Sequence, residues 1–115
     1  MLTLGGLRRE LGGELLTPGM NLEAECPGIF ASDLMSDVLA FMKPGSVLLT
    51  GLVNSHVIRT ARLLDVAAIV VVQGKRPDER VIGEAREHRI PIIATGCSMV
   101  ETCARASRFV PEGAR

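Results

Sequence analysis

The sequence predicts an α/β protein, a three-layer α/β/α arrangement around a mainly parallel sheet of four to five strands. The first observation behind this lies in residues 44–74, where the hydrophobic period changes twice. Pro44-Gly45 opens a short apolar run, Val47-Leu48-Leu49-Thr50. Val57, Ile58, Ala61 and Leu64 then recur at helical spacing, and Ala67 to Val72 is again unbroken apolar and rich in β-branched residues. Short apolar runs between breakers read as strands, and a run without alternation as one covered on both faces by helices. The stretch is therefore a βαβ unit, whose crossover should be right-handed. The second observation is that the alternation extends to β-α-β-α-β-α-β-α over residues 28–107, behind an α-β prelude, which argues a parallel sheet with helices on its faces. The third is size: 115 residues, 47% of them apolar, make a single domain spanning 1–115. Such a chain buries roughly 65% of its unfolded surface and needs neither disulfide nor metal to fold.

Each element has its own signal. Thr3 caps a short helix carrying Leu4, Leu7 and Leu11, and Gly12-Gly13 stops it. Glu14 to Leu16 reads as a brief strand and Thr17-Pro18-Gly19 as a turn. Residues 20–26 have little pattern, and Pro27 pushes Cys26 toward an extended conformation before a strand from Gly28 to Ser32. Ser32-Asp33 offers an N-cap for a helix from Leu34 to Met42. Leu34, Val38, Phe41 and Met42 form its apolar stripe, Asp37 is its first-turn acid, and Lys43 complements its C-terminal end. Asn54 is placed to cap the helix of the βαβ unit, whose other face carries His56, Arg59 and Arg62. Asp65 marks its end. Gly74-Lys75-Arg76-Pro77 is a loop, and Asp78 caps a third helix with Val81, Ile82 and Ala85 inward and Glu79, Arg80, Glu84, Arg86 and Glu87 outward. Pro91 to Ala94 is a strand and Thr95-Gly96 a turn. Ser98 and Glu101 have capping-box spacing for a last helix, Met99 to Ser107. The tail from Pro111 to Arg115 is expected to fray. Strand order has no signature in the sequence.

Composition narrows the function classes. Thirteen acidic residues balance thirteen basic ones, and there is no Trp or Tyr and only three Phe. Phosphate-backbone attraction and aromatic stacking platforms are thus both missing, and nucleic-acid binding is not expected. Near-zero charge with positive mean hydropathy predicts a homodimer that buries part of its apolar surface. Cys26, Cys97 and Cys103 are an odd set without zinc spacing, and no signal peptide precedes them, so the expected compartment is a reducing cytoplasm. The longest apolar runs fall far short of the ~20 residues of a membrane span, and no membrane partner is expected.

Three runs carry a resemblance: DLMSDVLAFMKPGSVLLTG, IVVVQGKRP and REHRIPIIAT. Over about residues 28–105 they resemble the DRTGG domain family, small regulatory modules similar to the N-terminal domain of HPr kinase/phosphorylase. At the positions of the family's Asp-Arg pair this chain reads Gly51-Leu52-Val53-Asn54, and at its Thr-Gly-Gly it reads Val72-Gln73-Gly74, so Gly51 and Gly74 stand. Length and the Asp-Leu-Met-Ser-Asp run look most like short stand-alone members. The resemblance implies a regulatory or dimerisation role without catalysis or cofactor, as in members fused to phosphotransacetylases and to pyrophosphatases with nucleotide-sensing CBS domains. No G-x-x-x-x-G-K-[ST] phosphate loop occurs here, which sets kinase activity aside.

In open parallel sheets ligands sit beyond the carboxyl ends of the strands, where helix N-termini point free N–H groups outward. The residues expected to meet there are Ser32, Asp33, Thr50, Gly51, Asn54, Gly74, Lys75, Arg76, Thr95 and Gly96. Together they offer hydroxyls, a carboxylate, close backbone approach and two cations, which suits a nucleotide or a small anionic metabolite. The plainer account makes each an ordinary cap or turn residue. Asp33 and Asp37 share a helix face, but two carboxylates are few for a hard cation, and a cap plus a first-turn acid explains them. Cys97 follows Gly96 at a helix start, where a thiol gains reactivity, but a nucleophile wants a base and only His56 and His88 are on offer. The basic stripe His56, Arg59, Arg62 reads as a solvated face or a protein interface, with Glu79, Glu84 and Glu87 as counterparts across a dimer. The expected function is a non-catalytic regulatory and dimerisation module sensing a nucleotide or anionic metabolite. The alternative is an accessory protein that docks on a larger metabolic or redox enzyme complex without a small ligand, and an enzyme using Cys97 ranks last.

Overall fold

The computed structural model describes residues 2–111. Of the tail expected to fray, only Pro111 falls inside that range. The elements are α1 (Leu4–Glu10), β1 (Glu14–Leu15), β2 (Ile29–Ala31), α2 (Met35–Phe41), β3 (Val47–Thr50), α3 (Ser55–Leu63), β4 (Ala68–Val71), α4 (Glu79–Glu87), β5 (Ile92–Ala94) and α5 (Met99–Ser107). They form one five-stranded sheet in the order β1-β5-β4-β3-β2. β2, β3, β4 and β5 are parallel, and β1 runs antiparallel along β5. The fold is thus α/β with a mixed, mostly parallel sheet.

Alternation decides which helix covers which face, because successive strand residues point to opposite sides. Leu48, Ile69, Val71, Ile92 and Ala94 meet Met35, Val38 and Met42 of the α2 segment, Val57, Ile58 and Ala61 of α3, and Val81, Ile82 and Ala85 of α4. Val47, Leu49, Ala68, Val70 and Ile93 meet Leu4, Leu7 and Leu11 of the α1 segment and Ala106 of α5. β2 to β5 lie in chain order and their three connecting helices share one face, so all three crossovers have the same hand. Every residue of β3 and β4 is buried, and each fully buried aliphatic side chain contributes about 1.5–3 kcal/mol.

Caps fall largely where the side chains foretell. Thr3 accepts from Gly6 N–H, Asn54 from His56 N–H, Asp78 from Val81 N–H and Ser98 from Glu101 N–H. The capping box at α5 forms its Ser98 half, while Glu101 reaches forward to Arg105 at 3.2 Å. The α2 entry corrects the sequence reading. Its N-cap is Leu34, without a side-chain cap. The Ser32 hydroxyl accepts from Leu34 N–H at 3.0 Å in a local turn, and Asp33 is drawn away to β3. The stripe is corrected with it: Met35, Val38 and Met42 are buried, whereas Leu34 and Phe41 are 57% and 73% exposed. The patternless residues 20–26 are tied to α1 through the backbone, by Gly5 N–H to Leu22 O and Cys26 N–H to Leu2 O, both 2.9 Å. Among the described residues no helix is long and apolar enough to cross a membrane.

Two substitutions test this packing. At Gly13 an added Cβ would lie 2.6 Å from Ile93 Cγ2 and 3.3 Å from the Ala94 carbonyl. Ile93 is fully buried and cannot swing aside, so Gly13→Ala should lower the urea-unfolding free energy by about 1–3 kcal/mol. The Thr102 hydroxyl is buried without a hydrogen-bond partner among the described residues. Thr102→Val keeps the shape and removes the orphaned group, so it should raise the same free energy by about 1–3 kcal/mol.

Candidate functional site

The strand register brings the carboxyl ends of β2, β3, β4 and β5 to one rim, with Thr50 opposite Val71 and Val71 opposite Ala94. Four of the ten residues expected at that rim converge. Asp33 Oδ1 accepts from the Thr50 hydroxyl at 2.9 Å and from Gly51 N–H at 2.7 Å. The Thr50 hydroxyl in turn accepts from Leu52 N–H at 3.1 Å. The Lys75 ammonium reaches from the loop after β4 and donates to the Gly51 carbonyl at 3.4 Å. A methyl group at Gly51 would touch all three charged atoms, lying 3.5 Å from Lys75 Nζ and 3.6 Å from each Asp33 oxygen. The bare glycine therefore leaves a slot between a carboxylate and an ammonium that form no direct ion pair.

The approach of Lys75 depends on the turn before it. Gln73 and Gly74 both have left-handed backbones, φ 65° and 70°, which Gly74 adopts freely and Gln73 only at a cost of about 1–2 kcal/mol. Two hydrogen bonds donated to the next strand's exit hold that conformation, Gln73 N–H to Cys97 O at 2.8 Å and Gly74 N–H to Thr95 O at 2.9 Å. Gly74 is thus explained by its backbone, whereas a side chain at Gly51 would meet its neighbours only at ordinary contact distance.

The other expected residues are turned elsewhere. Ser32 closes its local turn and Asn54 its own helix cap. Arg76 leaves the rim for the β1 edge, where it forms a two-pronged pair with Glu14 at 2.8 and 3.4 Å. That guanidinium holds the Glu14 carboxyl below the usual range, first through the hydrogen bond and then through its charge. Thr95 points into the opposite layer, donating to the Leu11 carbonyl at 2.8 Å and accepting from Cys97 N–H at 3.2 Å. Gly96 is exposed beside it. Behind the rim, Leu52, Val53, Val57, Pro77 and Val81 help line an apolar cleft of ≈ 10 Å³, room for about one water.

The remaining chemistry is sparse. Among the described residues no group of three or more His, Cys, Asp or Glu could hold a metal ion. Cys97 Sγ lies 3.8 Å from the Leu11 carbonyl, while the His56 ring lies against Arg59 and His88 is the C-cap of α4. Burial pushes the Cys26 and Cys103 thiols up, away from the reactive thiolate. Glu84, expected to face a second subunit, accepts from the Ser55 hydroxyl at 2.7 Å and pairs with Arg80 within this chain. The Asp33–Thr50 link was beyond sequence reasoning, because a hydroxyl at a strand end and a carboxylate before a helix each have a nearer default partner.

Comparison with known proteins gives two findings. A family model described as the DRTGG domain matches residues 6–109. A solved structure, described as the CBS and DRTGG domains of the regulatory region of Clostridium perfringens pyrophosphatase complexed with activator, diadenosine tetraphosphate, is similar in fold. The TM-score is 0.74 at 16% sequence identity, over 95% of this chain and 47% of that one. This chain thus spans about half the length of the structure it matches. A sequence comparison with curated proteins finds no match.

Removing the Asp33 carboxylate should strand Gly51 N–H and free the Thr50 hydroxyl. Asp33→Ala is expected to cost about 1–3 kcal/mol in urea unfolding and to speed hydrogen exchange at the Gly51 amide. Asp33→Asn keeps an acceptor oxygen and should fall between the two. The Glu14–Arg76 pair should show in acid. A carboxyl held low in the folded state stabilises above its unfolded pKa and loses that contribution as pH falls through its folded value. Glu14→Gln should therefore reduce stability near neutral pH and converge with the parent below the ordinary glutamate range, as read by thermal unfolding across pH.

Proposed function

The chain belongs to the DRTGG domain family, and on that footing we propose that it is a regulatory module without catalysis of its own, responding to a nucleotide or other small anionic metabolite. The responsive site is the slot formed by Asp33, Thr50, Gly51 and Lys75. The observation that carries this reading is the Lys75 ammonium, held against a neutral carbonyl at 3.4 Å with no carboxylate within 4.0 Å among the described residues. An anion offers that ammonium a stronger, charge-assisted hydrogen bond than Gly51 O does.

The geometry also supplies a response. An anion that draws Lys75 off the Gly51 carbonyl loosens the β3–α3 turn, and the same turn is clasped by Asp33, just before the first turn of α2. A binding event at one loop is thereby coupled to the position of a helix, and it shifts the equilibrium by the difference in affinity for the two arrangements. The similar pyrophosphatase region is complexed with diadenosine tetraphosphate, its activator, which makes polyphosphorylated nucleotides the first candidates here. Self-association as a homodimer belongs to the same reading. It is supported by zero net charge and by Leu34, Leu39 and Phe41, which the α2 segment leaves in water.

The test is a thermal-shift series with AMP, ADP, ATP, diadenosine tetraphosphate and acetyl phosphate. A ligand at 100 times its dissociation constant should stabilise by about 2.7 kcal/mol, and Lys75→Ala should abolish the shift, with the unliganded melting temperature falling slightly as the Gly51 contact is lost. No shift with any of them, or a shift that survives Lys75→Ala, refutes the site. Light scattering at micromolar concentration checks the dimer independently.

A further inference from the structure

α3 turns Val57, Ile58, Thr60 and Ala61 toward the sheet and leaves His56, Arg59, Arg62 and Leu63 in water. Leu63 is 75% exposed, an apolar side chain the core does not use. Arg59, Arg62 and Leu63 lie side by side on the open outer surface of α3. Neither arginine has a carboxylate within 4.0 Å among the described residues, and Arg59 Nη2 lies 3.4 Å from His56 Nδ1, beside a further basic group. The α3 sequence, Ser-His-Val-Ile-Arg-Thr-Ala-Arg-Leu, contains no acidic residue. On the neighbouring helix Phe41 is also exposed. The turn just beyond Phe41 is tied to the end of α3 by Gly45 N–H to Leu64 O at 3.2 Å, so Phe41 and Leu63 lie at the same end of the helical layer.

Charge decides what such a face accepts. A two-fold contact between copies through α3 would set His56, Arg59 and Arg62 against the same three groups, and like charges brought together across an interface are penalised. A complementary surface is acidic around an apolar anchor. We infer that the outer face of α3 docks an acidic amphipathic helix of a partner protein, with an apolar side chain against Leu63 and carboxylates on Arg59 and Arg62. Two guanidinium forks spaced about one turn apart match carboxylates spaced the same way on a facing helix. Long-range attraction makes association fast and salt-sensitive, and the apolar anchor slows release.

The inference rests on the regulatory reading but uses a different surface from the Lys75 slot, so Lys75→Ala and the α3 variants fail independently. The probe is a synthetic fluorescein-labelled helix with a leucine stripe flanked by glutamates on the same side, with a lysine-for-glutamate version as control. Fluorescence anisotropy gives affinity, and amide shift mapping gives the site. The glutamate helix should bind, perturb residues around 56–63, and weaken on added salt. Arg59→Glu with Arg62→Glu should weaken it at least ten-fold and let the lysine helix bind in its place; Leu63→Ser should weaken both. All three positions are exposed, and circular dichroism confirms that the variants fold. Shifts confined to another surface, unchanged affinity in the charge-reversed or Leu63→Ser variants, or no binding of the glutamate helix overturns the inference. So does a change of oligomeric state in the charge-reversed protein, which would give this face to contact between copies.

Discussion

Two adjacent strands whose every residue is buried constrain everything else in this molecule. β3 and β4 are buried along their whole length on both faces, so each face must be roofed by helices. The chain meets that demand in two ways. Successive crossovers lay α2, α3 and α4 side by side over one face, while α1 and α5, from opposite ends of the described chain, combine over the other. What remains at the strand exits is backbone that can be neither strand nor helix. Its polar groups need partners, and Asp33, Thr50 and Thr95 supply them. The rim is built from that necessity, and Lys75 is the group on it whose present partner is weakest.

The parts of the fold governed by local rules were legible in the sequence. The period change at Asn54, the β-branched run before Gln73 and the cap residues Asn54, Asp78 and Ser98 each state their role within a few residues, and the structure agrees. Strand order was not legible, because it depends on where a helix lands after its crossover and not on the strand itself. The α2 boundary misled for a related reason. Ser32-Asp33 has the chemistry of a cap, but a stronger long-range partner, the N–H and hydroxyl at the end of β3, takes the carboxylate first. Leu34 and Phe41 then fit a helical stripe by spacing alone, and the true stripe is the one through Met35, Val38 and Met42.

The rim shows the same division. Its membership could be listed from the strand exits, since the parallel sheet brings those exits together. Its wiring could not. Arg76 and Lys75 are adjacent in sequence, yet one turns to Glu14 on the β1 edge and the other to Gly51. In each case a side chain chooses among partners far away in the chain, and no window of local sequence holds that choice.

The second face carries a consequence for how the protein is made. α1 leaves the ribosome before every other described element, yet its roof partner α5 and the strand beside β1 are among the last of them to be synthesised. Until those last elements emerge, Leu4, Leu7 and Leu11 have only the β2, β3 and β4 part of the surface that shelters them. That layer therefore stays half-built until the last described elements arrive, and the speed of their closure sets how long the apolar side of α1 remains partly uncovered.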